Sequence, residues 1–407
     1  MKNIQIKLSI LFFFGSFFIY GQPLIQNYNA GNSPLPFNTI RCIEIQGDLK
    51  WFGTDDGLAS FDGNTWQIFT TDNSPLLDDN IRALKVENDS TLWIGTMQGG
   101  LYKKTPNSWL NFNESNSGMH DNLVRGIEID SLGALWLATS EGVSKFDGLN
   151  WSLWSINNSG LLTNNITSIR TGFTNEKFVG TINGGLLYFN AQDFLTMHSI
   201  VESGLPDNSS LDIDIDVNGR PWFATPAAGL VTDWGNGGPW ERWNMSNSPI
   251  PTNGLSCIAI NQEDQRIFMG TELFGIIIKK GDIWFNYNQE NIGLPEDHIT
   301  AIMHESSSIK WVGTFNHGVV RLEENTAYSE NYILEKTRLF PTIINKGDFL
   351  TIHPTPKEET VYLVDQMGNE FVLGHTAGKV LIPTNLSNGM YFIRINDSVK
   401  SYKICIF

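Results

Sequence analysis

Scarce residue types narrow what this chain can do. It has only three cysteines, Cys42, Cys257 and Cys405, and an odd number argues against a disulfide framework. Charged residues make up only 17% of the 407 positions, yet the net charge is -16. An acidic surface repels phosphates, so we expect neither nucleic acid nor an anionic membrane surface as a partner. Acidity also keeps a protein soluble, which is the simpler interpretation.

The sequence also lacks the usual catalytic and metal-binding motifs. Its seven histidines include no pair at metal-ligand spacing, and no phosphate-binding glycine loop or nucleophile elbow is present. Asp212, Asp214 and Asp216 alternate along one predicted strand, but the glycine and the loop of a calcium site are missing. We therefore predict no catalytic residue, no metal and no cofactor.

Long apolar runs are absent after the first 20 residues. Residues 8–20 form one Phe-rich run, too short to span a bilayer as a helix, preceded by Lys2 and Lys7 and followed by Gly21. This pattern predicts a secretory signal peptide over residues 1–21. We expect a secreted or outer cell surface protein, with no membrane span after signal removal.

What the chain does have is a repeat. A phrase of the form Trp-x-Gly-Thr, followed by Gly and an apolar residue, recurs every 42 to 46 positions. The first residues of the copies are Trp51, Trp93, Trp136, Phe178, Trp222, Phe268 and Trp311. A period near 40–45 residues suits one four-stranded propeller blade. In the third copy, residues 124–130, 135–139, 142–146 and 151–154 are predicted to be strands A, B, C and D.

Two features indicate how the ring is arranged. The inner strand carries a column of small residues where the blades converge: Cys42, Ala83, Gly126, Ser168, Cys257 and Ala301, interrupted by Asp212. Asp212 should face the channel or accept a hydrogen bond from a neighbouring blade. The outer strand is marked by Trp66, Trp109, Trp151, Phe194, Trp240 and Trp284, and the seventh copy has no such strand. Residues 24–29 match the end of a repeat and should supply it, which removes open sheet edges.

These repeats resemble the two-component regulator propeller repeats, which occur in periplasmic sensor domains and in some secreted bacterial proteins. The resemblance implies packing and no chemistry, because the motif residues are structural. Residues 325–337 read as a linker, and residues 338–407 show short alternating strands. The predicted fold is all-β: a seven-bladed β-propeller over residues 22–324, followed by a small Ig-like β-sandwich.

The tail resembles the C-terminal sorting domain of the type IX secretion system of Bacteroidetes. The resemblance rests on Phe340-Pro341, on the strand that ends at Asp365 and Gly368, and on the Leu386, Gly389 and Tyr391-Phe392 segment. It implies that the type IX secretion machinery is a partner through this tail. A plain accessory sandwich is the alternative.

A ligand site is expected on the face that carries the B–C loops and the D–A links, because variable loops on a rigid scaffold are where binding resides. The candidate loop residues are Asp55, Asp56, Gln98, Glu141, Asn183, Glu272, Asn316 and His317. Beside them Arg41, Arg82 and Arg125 begin three consecutive inner strands. Their guanidinium groups suit a carboxylate ligand such as an acidic sugar or peptide. Alternatively, they pair with Asp55, Asp56 and Glu141.

The favoured function is a binding module for a glycan, peptide or protein ligand. A propeller enzyme of the lyase type is one alternative, for which His317, His298 or His120 would have to serve as the base. A sensor-like component that works with a separate membrane partner is another. Trp154, Trp234 and Trp243 lie outside the two tryptophan columns and are candidates for stacking on sugar rings.

Overall fold

The computed structural model describes residues 23–233, 240–324, 338–340, 343–344, 349–353, 360–365, 370–375, 379–395 and 401–406. The predicted signal peptide, the predicted linker and Trp234 lie outside these residues. The chain is almost entirely β. The described residues contain two single-turn helices, α1 (Ile200–Ser203) and α2 (Gln289–Ile292).

Seven four-stranded antiparallel sheets follow one another along residues 24–323. The first strand of the chain is β1 (Leu24–Tyr28). Sheet 1 contains β2 (Ile40–Gln46), β3 (Leu49–Thr54), β4 (Gly57–Phe61) and β5 (Trp66–Phe69). Sheet 2 contains β6 (Ile81–Asn88), β7 (Thr91–Thr96), β8 (Leu101–Lys104) and β9 (Trp109–Phe112). Sheet 3 contains β10 (Val124–Ile129), β11 (Leu135–Thr139), β12 (Val143–Phe146) and β13 (Trp151–Trp154).

Sheets 4 to 7 repeat this order. Sheet 4 contains β14 (Ile166–Thr171), β15 (Lys177–Thr181), β16 (Leu186–Phe189) and β17 (Leu195–His198). Sheet 5 contains β18 (Asp212–Ile215), β19 (Pro221–Ala224), β20 (Leu230–Thr232) and β21 (Glu241–Trp243). Sheet 6 contains β22 (Cys257–Ile260), β23 (Ile267–Gly270), β24 (Ile276–Lys280) and β25 (Ile283–Tyr287). Sheet 7 contains β26 (Ile299–His304), β27 (Ile309–Thr314), β28 (Val319–Glu323) and, as its outer strand, β1.

The sheets form a closed ring. The first strand of each sheet contacts the first strand of the next, and β26 of sheet 7 contacts β2 of sheet 1. Close approach is possible because small residues face each other across the first two strands. Cys42 pairs with Gly53, and Cys257 pairs with Gly270. Both cysteines are free thiols. This arrangement is that of a β-propeller.

The recurring phrase has a direct structural meaning. The threonine hydroxyl at the end of the second strand donates to the carbonyl of the glycine that begins the third, as Thr139 does to Gly142 at 2.7 Å. That glycine has a positive φ of 131°, which other residues rarely adopt. Equivalent Thr-to-Gly bonds occur in all seven sheets. Each copy of the phrase therefore closes one hairpin.

The buried tryptophans form the core between sheets and need a partner for their indole N–H. Trp136 Nε1 donates to Asp130 Oδ2 at 3.0 Å, and Trp311 Nε1 donates to Glu305 Oε2 at 2.7 Å. The acceptor lies five or six residues earlier in each case. The equivalent acceptors for Trp51, Trp93 and Trp222 are Gln46, Glu87 and Asp216. Asp216 therefore accepts the indole N–H of a core tryptophan, whereas Asp212 and Asp214 accept backbone N–H groups of the next sheet.

Three sequence predictions need correction here. In sheet 4 the outer-column position is held by Leu195, which pairs with Phe189, while Phe194 is exposed outside the strand. Trp154 and Trp243, considered for sugar stacking, are core residues. Their rings stack on the buried Trp136 and Trp222, each with centroids 5.3 Å apart.

The described part of the tail forms two further sheets. One contains β29 (Arg338–Phe340), β31 (Phe349–His353) and β34 (Lys379–Leu381). The other contains β30 (Ile343–Ile344), β32 (Thr360–Val364), β33 (Glu370–His375), β35 (Gly389–Ile395) and β36 (Ser401–Ile406). Val361, Leu363 and Ile393 of the larger sheet are fully buried.

Candidate functional site

One face of the ring carries the loops that the sequence analysis singled out. The B–C loop of each sheet joins its second and third strands, and in sheets 2, 4 and 7 its backbone bonds to the links that enter and leave the sheet. In sheet 2, Met97 N donates to Asn80 O at 2.9 Å and Gly100 N donates to Asn122 O at 3.1 Å. These backbone bonds make the loop face a rigid platform.

The predicted loop residues all lie on this face. Asp56, Gln98, Glu141, Asn183, Glu272, Asn316 and His317 have exposed side chains, and Asp55 is half-buried. Carboxylates of the D–A links hold several of these loops. The backbone N–H groups of Gln98, Glu141 and Asn316 donate to Asp78, Asp121 and Glu296 at 2.6, 3.2 and 2.7 Å. These link carboxylates were not among the predicted site residues, although Asp78, Asp121 and Glu296 each lie three residues before the first strand of their sheet.

The three predicted arginines have different partners. Arg41 donates through Nε and Nη2 to both oxygens of Asp55, at 2.8 and 2.7 Å. Arg82 Nη2 lies 4.0 Å from Asp55 Oδ1, beyond hydrogen-bonding distance. Arg125 Nη1 donates to Asn165 Oδ1 at 2.5 Å and to the carbonyl of Ile166 at 3.2 Å.

The alternative in which the arginines pair with loop carboxylates therefore holds for Arg41 and, at the longer distance of 4.0 Å, for Arg82, but not for Arg125. Arg41 does pair with Asp55, but Arg125 has no ion pair with any carboxylate that the structure describes. Burial lowers the pKa of Arg82, and the positive charges of Arg41 and Arg125 lower it further against the opposing effect of Asp55. A group of mutually repelling cations is thus held together on a strongly acidic protein.

These arginines stand at one end of a channel through the ring. A cavity of about 500 Å³ is lined by the first strands of all seven sheets. Arg41, Arg82 and Arg125 line it, and the Arg170 side chain further along retains 36% exposure. The channel is therefore polar and accessible to solvent.

A second layer of charge lies deeper in the channel. It is contributed by the position three residues after Arg41, Arg82 and Arg125 and after their equivalents Thr167 and Leu211. The charge alternates there: Glu44, Lys85, Glu128, Arg170 and Asp214. Lys85 Nζ lies 2.8 Å from Glu128 Oε1, and Arg170 Nη2 lies 3.8 Å from Asp212 Oδ1. With Asp212 included, four carboxylates face two cations in this layer.

The carboxylates of this layer also join neighbouring sheets. Ile258 N donates to Asp212 at 3.0 Å, and Ile260 N donates to Asp214 at 2.6 Å. Both expectations for Asp212 are therefore met, because it lines the channel and accepts a bond from the next sheet. The predictions used only two positions of the inner strand, that of the small residues and that of the arginines. An alignment of the repeats at the position three residues after the arginines would have found this layer.

The pH dependence of stability should reveal one of these carboxylates. Burial raises the pKa of Asp214 to about 6 from 3.8, and Arg170 and the Ile260 N–H only partly oppose this rise. Because the folded pKa is raised, ionisation of Asp214 opposes folding at neutral pH, and the opposition fades as pH falls through 6. We expect Asp214→Asn to stabilise the protein by about 1 kcal/mol at pH 7.5, allowing for solvent in the channel.

Urea unfolding of both proteins between pH 4.5 and 7.5 checks this. The stabilisation should shrink steadily as the pH is lowered. Asp89→Asn makes the same charge change at an exposed turn and should show no such trend. A variant less stable than the parent at pH 7.5 would contradict the assignment.

The histidines considered for catalysis lie at different places. His317 Nδ1 is 3.4 Å from Glu296 Oε2, but its side chain is 52% exposed and does not line the channel cavity. His298 stacks on Phe315 with ring centroids 4.6 Å apart. Nδ1 of His120 is buried without a hydrogen-bond partner among the described residues. The structure does not bring these three imidazoles together in the channel.

The propeller class fits what is known of other structures. The extracellular domain of a putative hybrid two-component system from B. thetaiotaomicron superposes with a TM-score of 0.67 at 17% identity, over 94% of this chain and 57% of that one. PorZ, a bacterial surface component of the type IX secretion system of Porphyromonas gingivalis, gives 0.59 at 15%, over 91% and 59%. Virginiamycin B lyase from Staphylococcus aureus gives 0.59 at 13%, over 75% and 100%.

These identities establish a shared fold and no more. The chain spans less than two thirds of the sensor domain and of PorZ. No family model matches the sequence, and no curated protein does. Among the described residues, no helix combines the length and the hydropathy needed to cross a bilayer.

Proposed function

We propose that this protein is an exported surface propeller that binds an acidic ligand at the arginine-lined mouth of its channel. The proposal rests on the hydrogen bonding of Arg82 and Arg125. Neither forms a hydrogen bond with a carboxylate among the described residues, although both line the cavity with Arg41. Guanidinium groups bind carboxylates through paired donors, so an acidic sugar or an acidic peptide is the fitting ligand class.

The charges deeper in the channel should make the site selective among acidic ligands. A ligand carboxylate at the mouth would meet the arginines, whereas a second anion reaching inward would meet Glu44, Asp212 and Asp214. Repulsion from these carboxylates favours ligands that present one acidic group and keep the remainder neutral or outside. The exposed loop residues, Asp56, Gln98, Glu141, Asn183, Glu272, Asn316 and His317, would contact that remainder.

We further propose the export route and domain plan expected from the sequence. Residues 1–21 serve as the signal peptide, residues 22–324 form a propeller of seven blades, and residues 338–407 form an Ig-like sorting domain behind the 325–337 linker. Similarity to an extracellular sensor domain and to PorZ supports a place outside the cell. The type IX secretion machinery would then be the partner of the tail, and a sensor-like role would require a separate membrane protein.

Replacing Arg82 and Arg125 together by glutamine should abolish most ligand binding. Each hydrogen bond to a charged group contributes about 1.5–3 kcal/mol, so the double variant should bind at least about a hundredfold more weakly. The measurement is retention on an array of acidic and neutral glycans, followed by titration with the strongest acidic binder. Higher salt should weaken parent binding, because this attraction is screened.

A matched double variant, Arg242→Gln with Lys280→Gln, removes two exposed positive charges away from the channel. It should bind like the parent. Unchanged binding by the Arg82 and Arg125 variant, with its fold intact, would refute the arginine site. Equal loss in both doubles would reduce the effect to net charge.

A further inference from the structure

A second cavity lies between sheets 4 and 5, away from the channel. It encloses about 670 Å³. Its walls include Phe178 and Tyr188 from sheet 4, and Phe223 and Trp240 from sheet 5. The turns that begin the second strands of both sheets also border it, which places it toward the face opposite the B–C loops. It is therefore separate from the arginine mouth.

The sequence explains why this interface is hollow. Asp233 follows β20, and the strand register places it at the position held by a phenylalanine in sheets 1, 3 and 4 (Phe61, Phe146 and Phe189), by a lysine in sheets 2 and 6 and by a leucine in sheet 7. Those rings fill the space toward the preceding sheet. Phe61 stacks on Trp66 at 4.5 Å, and Phe146 stacks on Trp151 at 4.7 Å. In sheet 5 the short Asp233 carboxylate takes this position, which a ring or a long side chain fills in the other six sheets.

Trp240 consequently lacks both the stacked ring that Trp66 and Trp151 have and the lysine that lies over Trp109 and Trp284. Its Nε1 donates to the carbonyl of Ser203 at 3.1 Å, and its ring meets His198 edge-on at 5.7 Å. The tilted Phe178 and Tyr188 rings, 5.5 Å apart, line the opposite wall. An aromatic surface of this kind accepts a flat or apolar group, and its π faces attract cations.

The charges of the cavity also favour a cation. Arg220 pairs with Glu241 at 2.7 Å. Glu176 accepts the Thr174 N–H at 2.9 Å, and Asp216 accepts the Trp222 indole at 3.0 Å. By contrast, Oδ1 of Asp233 is buried and has no hydrogen-bond partner within the described part of the chain. A buried carboxylate oxygen in that state is costly unless a cation or donor meets it.

We propose that this cavity is a binding site for a small organic cation with an apolar or aromatic body. The ammonium group would pair with Asp233, and the body would occupy the place of the missing ring against Trp240. The expected shape of the ligand follows from the space beside Trp240, and its expected charge follows from the Asp233 carboxylate.

Isothermal titration of the full chain with benzyltrimethylammonium tests the proposal. Benzyl alcohol and benzoate are the neutral and anionic comparisons, and we expect the cation to bind most tightly. Asp233→Asn keeps the shape and removes the charge, so the cation should bind about tenfold more weakly, in line with the strength of charged hydrogen bonds. Asp233→Phe restores the ring and should eliminate binding while raising the melting temperature.

Asp89→Asn provides the charge-matched control on an exposed turn and should bind like the parent. The proposal fails if benzyltrimethylammonium does not bind, or if benzyl alcohol binds equally well. It also fails if the Asp233→Phe protein, folded by circular dichroism, binds the cation unchanged. None of these experiments involves the arginine mouth, so their outcome does not affect the proposal of an acidic ligand there.

Discussion

A chain that begins at residue 30 should lose the cooperative unfolding that a chain beginning at residue 23 displays. The missing segment contains β1, which pairs with β28 from Leu24 opposite Glu323 to Tyr28 opposite Val319. Tyr28 also packs its ring against Phe61 at 5.2 Å and Trp311 at 6.0 Å. Truncating a fully buried aromatic costs about 3–5 kcal/mol, and the partly buried Tyr28 should contribute a smaller share of the same kind. The loss of the whole strand should therefore remove a large part of the free energy of unfolding of the ring.

The reason for so large an effect is the position of β1 in the ring. Sheet 7 lies between sheets 6 and 1, and β1 covers its outer edge while Tyr28 reaches the core that it shares with sheet 1. Without β1, the edge of β28 is left unpaired and prone to association with other chains. One strand thus joins the beginning of the repeat region to its end.

Urea unfolding followed by circular dichroism compares the two chains, and size-exclusion chromatography reports association. A synthetic peptide of residues 23–29 should restore the sharp transition to the shorter chain when added in excess, because it can occupy the vacant edge. A scrambled peptide of the same composition serves as control. Equal stability of the two chains would mean that β1 is dispensable for the ring.

Much of this architecture could be predicted because the repeat encodes local geometry. The glycine and threonine of each copy close a hairpin, and the small inner residues permit close packing, so strand bounds in sheet 3 come out within one residue of the prediction. The pairing of β1 could be inferred because residues 28–36 resemble residues 243–251. These signals are short in range or repeated, and a single sequence contains both.

The site was harder to predict because it depends on departures from the repeat. Arg125 bonds to Asn165 across a sheet boundary, and Asp214 bonds to Ile260 in the same way. Such partners lie about one full repeat away in sequence, where no local pattern links them. The role of Asp233 could not be predicted for the same reason, since only the strand register shows which side chains of other sheets it replaces.

Glu324→Gln should destabilise the protein by about 3–5 kcal/mol, because it leaves a buried ammonium group without its counter-charge. Glu324 is buried. Its carboxylate accepts hydrogen bonds from both terminal nitrogens of Arg266 and from the Tyr287 hydroxyl, each at 2.8 Å. It also bonds to Lys310, whose side chain is fully buried. The cluster joins sheets 6 and 7 beside the last described residue of the ring.

The pH dependence identifies the carboxylate as the source of this effect. Burial opposes ionisation of Glu324, but the hydrogen bonds and charges of Arg266 and Lys310 outweigh it and lower its pKa below 4.5. A lowered folded pKa adds stability above the unfolded value, and this stability is lost as pH falls through the folded value. The difference between the parent and Glu324→Gln should therefore be largest at neutral pH and shrink in acid.

A double-mutant cycle with Lys310→Met separates lost charge pairing from lost packing. Removing both members of a buried pair is often nearly neutral, so Glu324→Gln with Lys310→Met should recover most of the stability that the single variant loses. Arg266 retains Asp264 at 2.7 Å and the Ser307 carbonyl at 3.0 Å, which prevents a second orphaned cation. Additive losses in chemical unfolding would show that Glu324 acts mainly through Arg266 and Tyr287, and that Lys310 does not require it. A strong recovery would establish Lys310 as the group whose burial depends on this carboxylate.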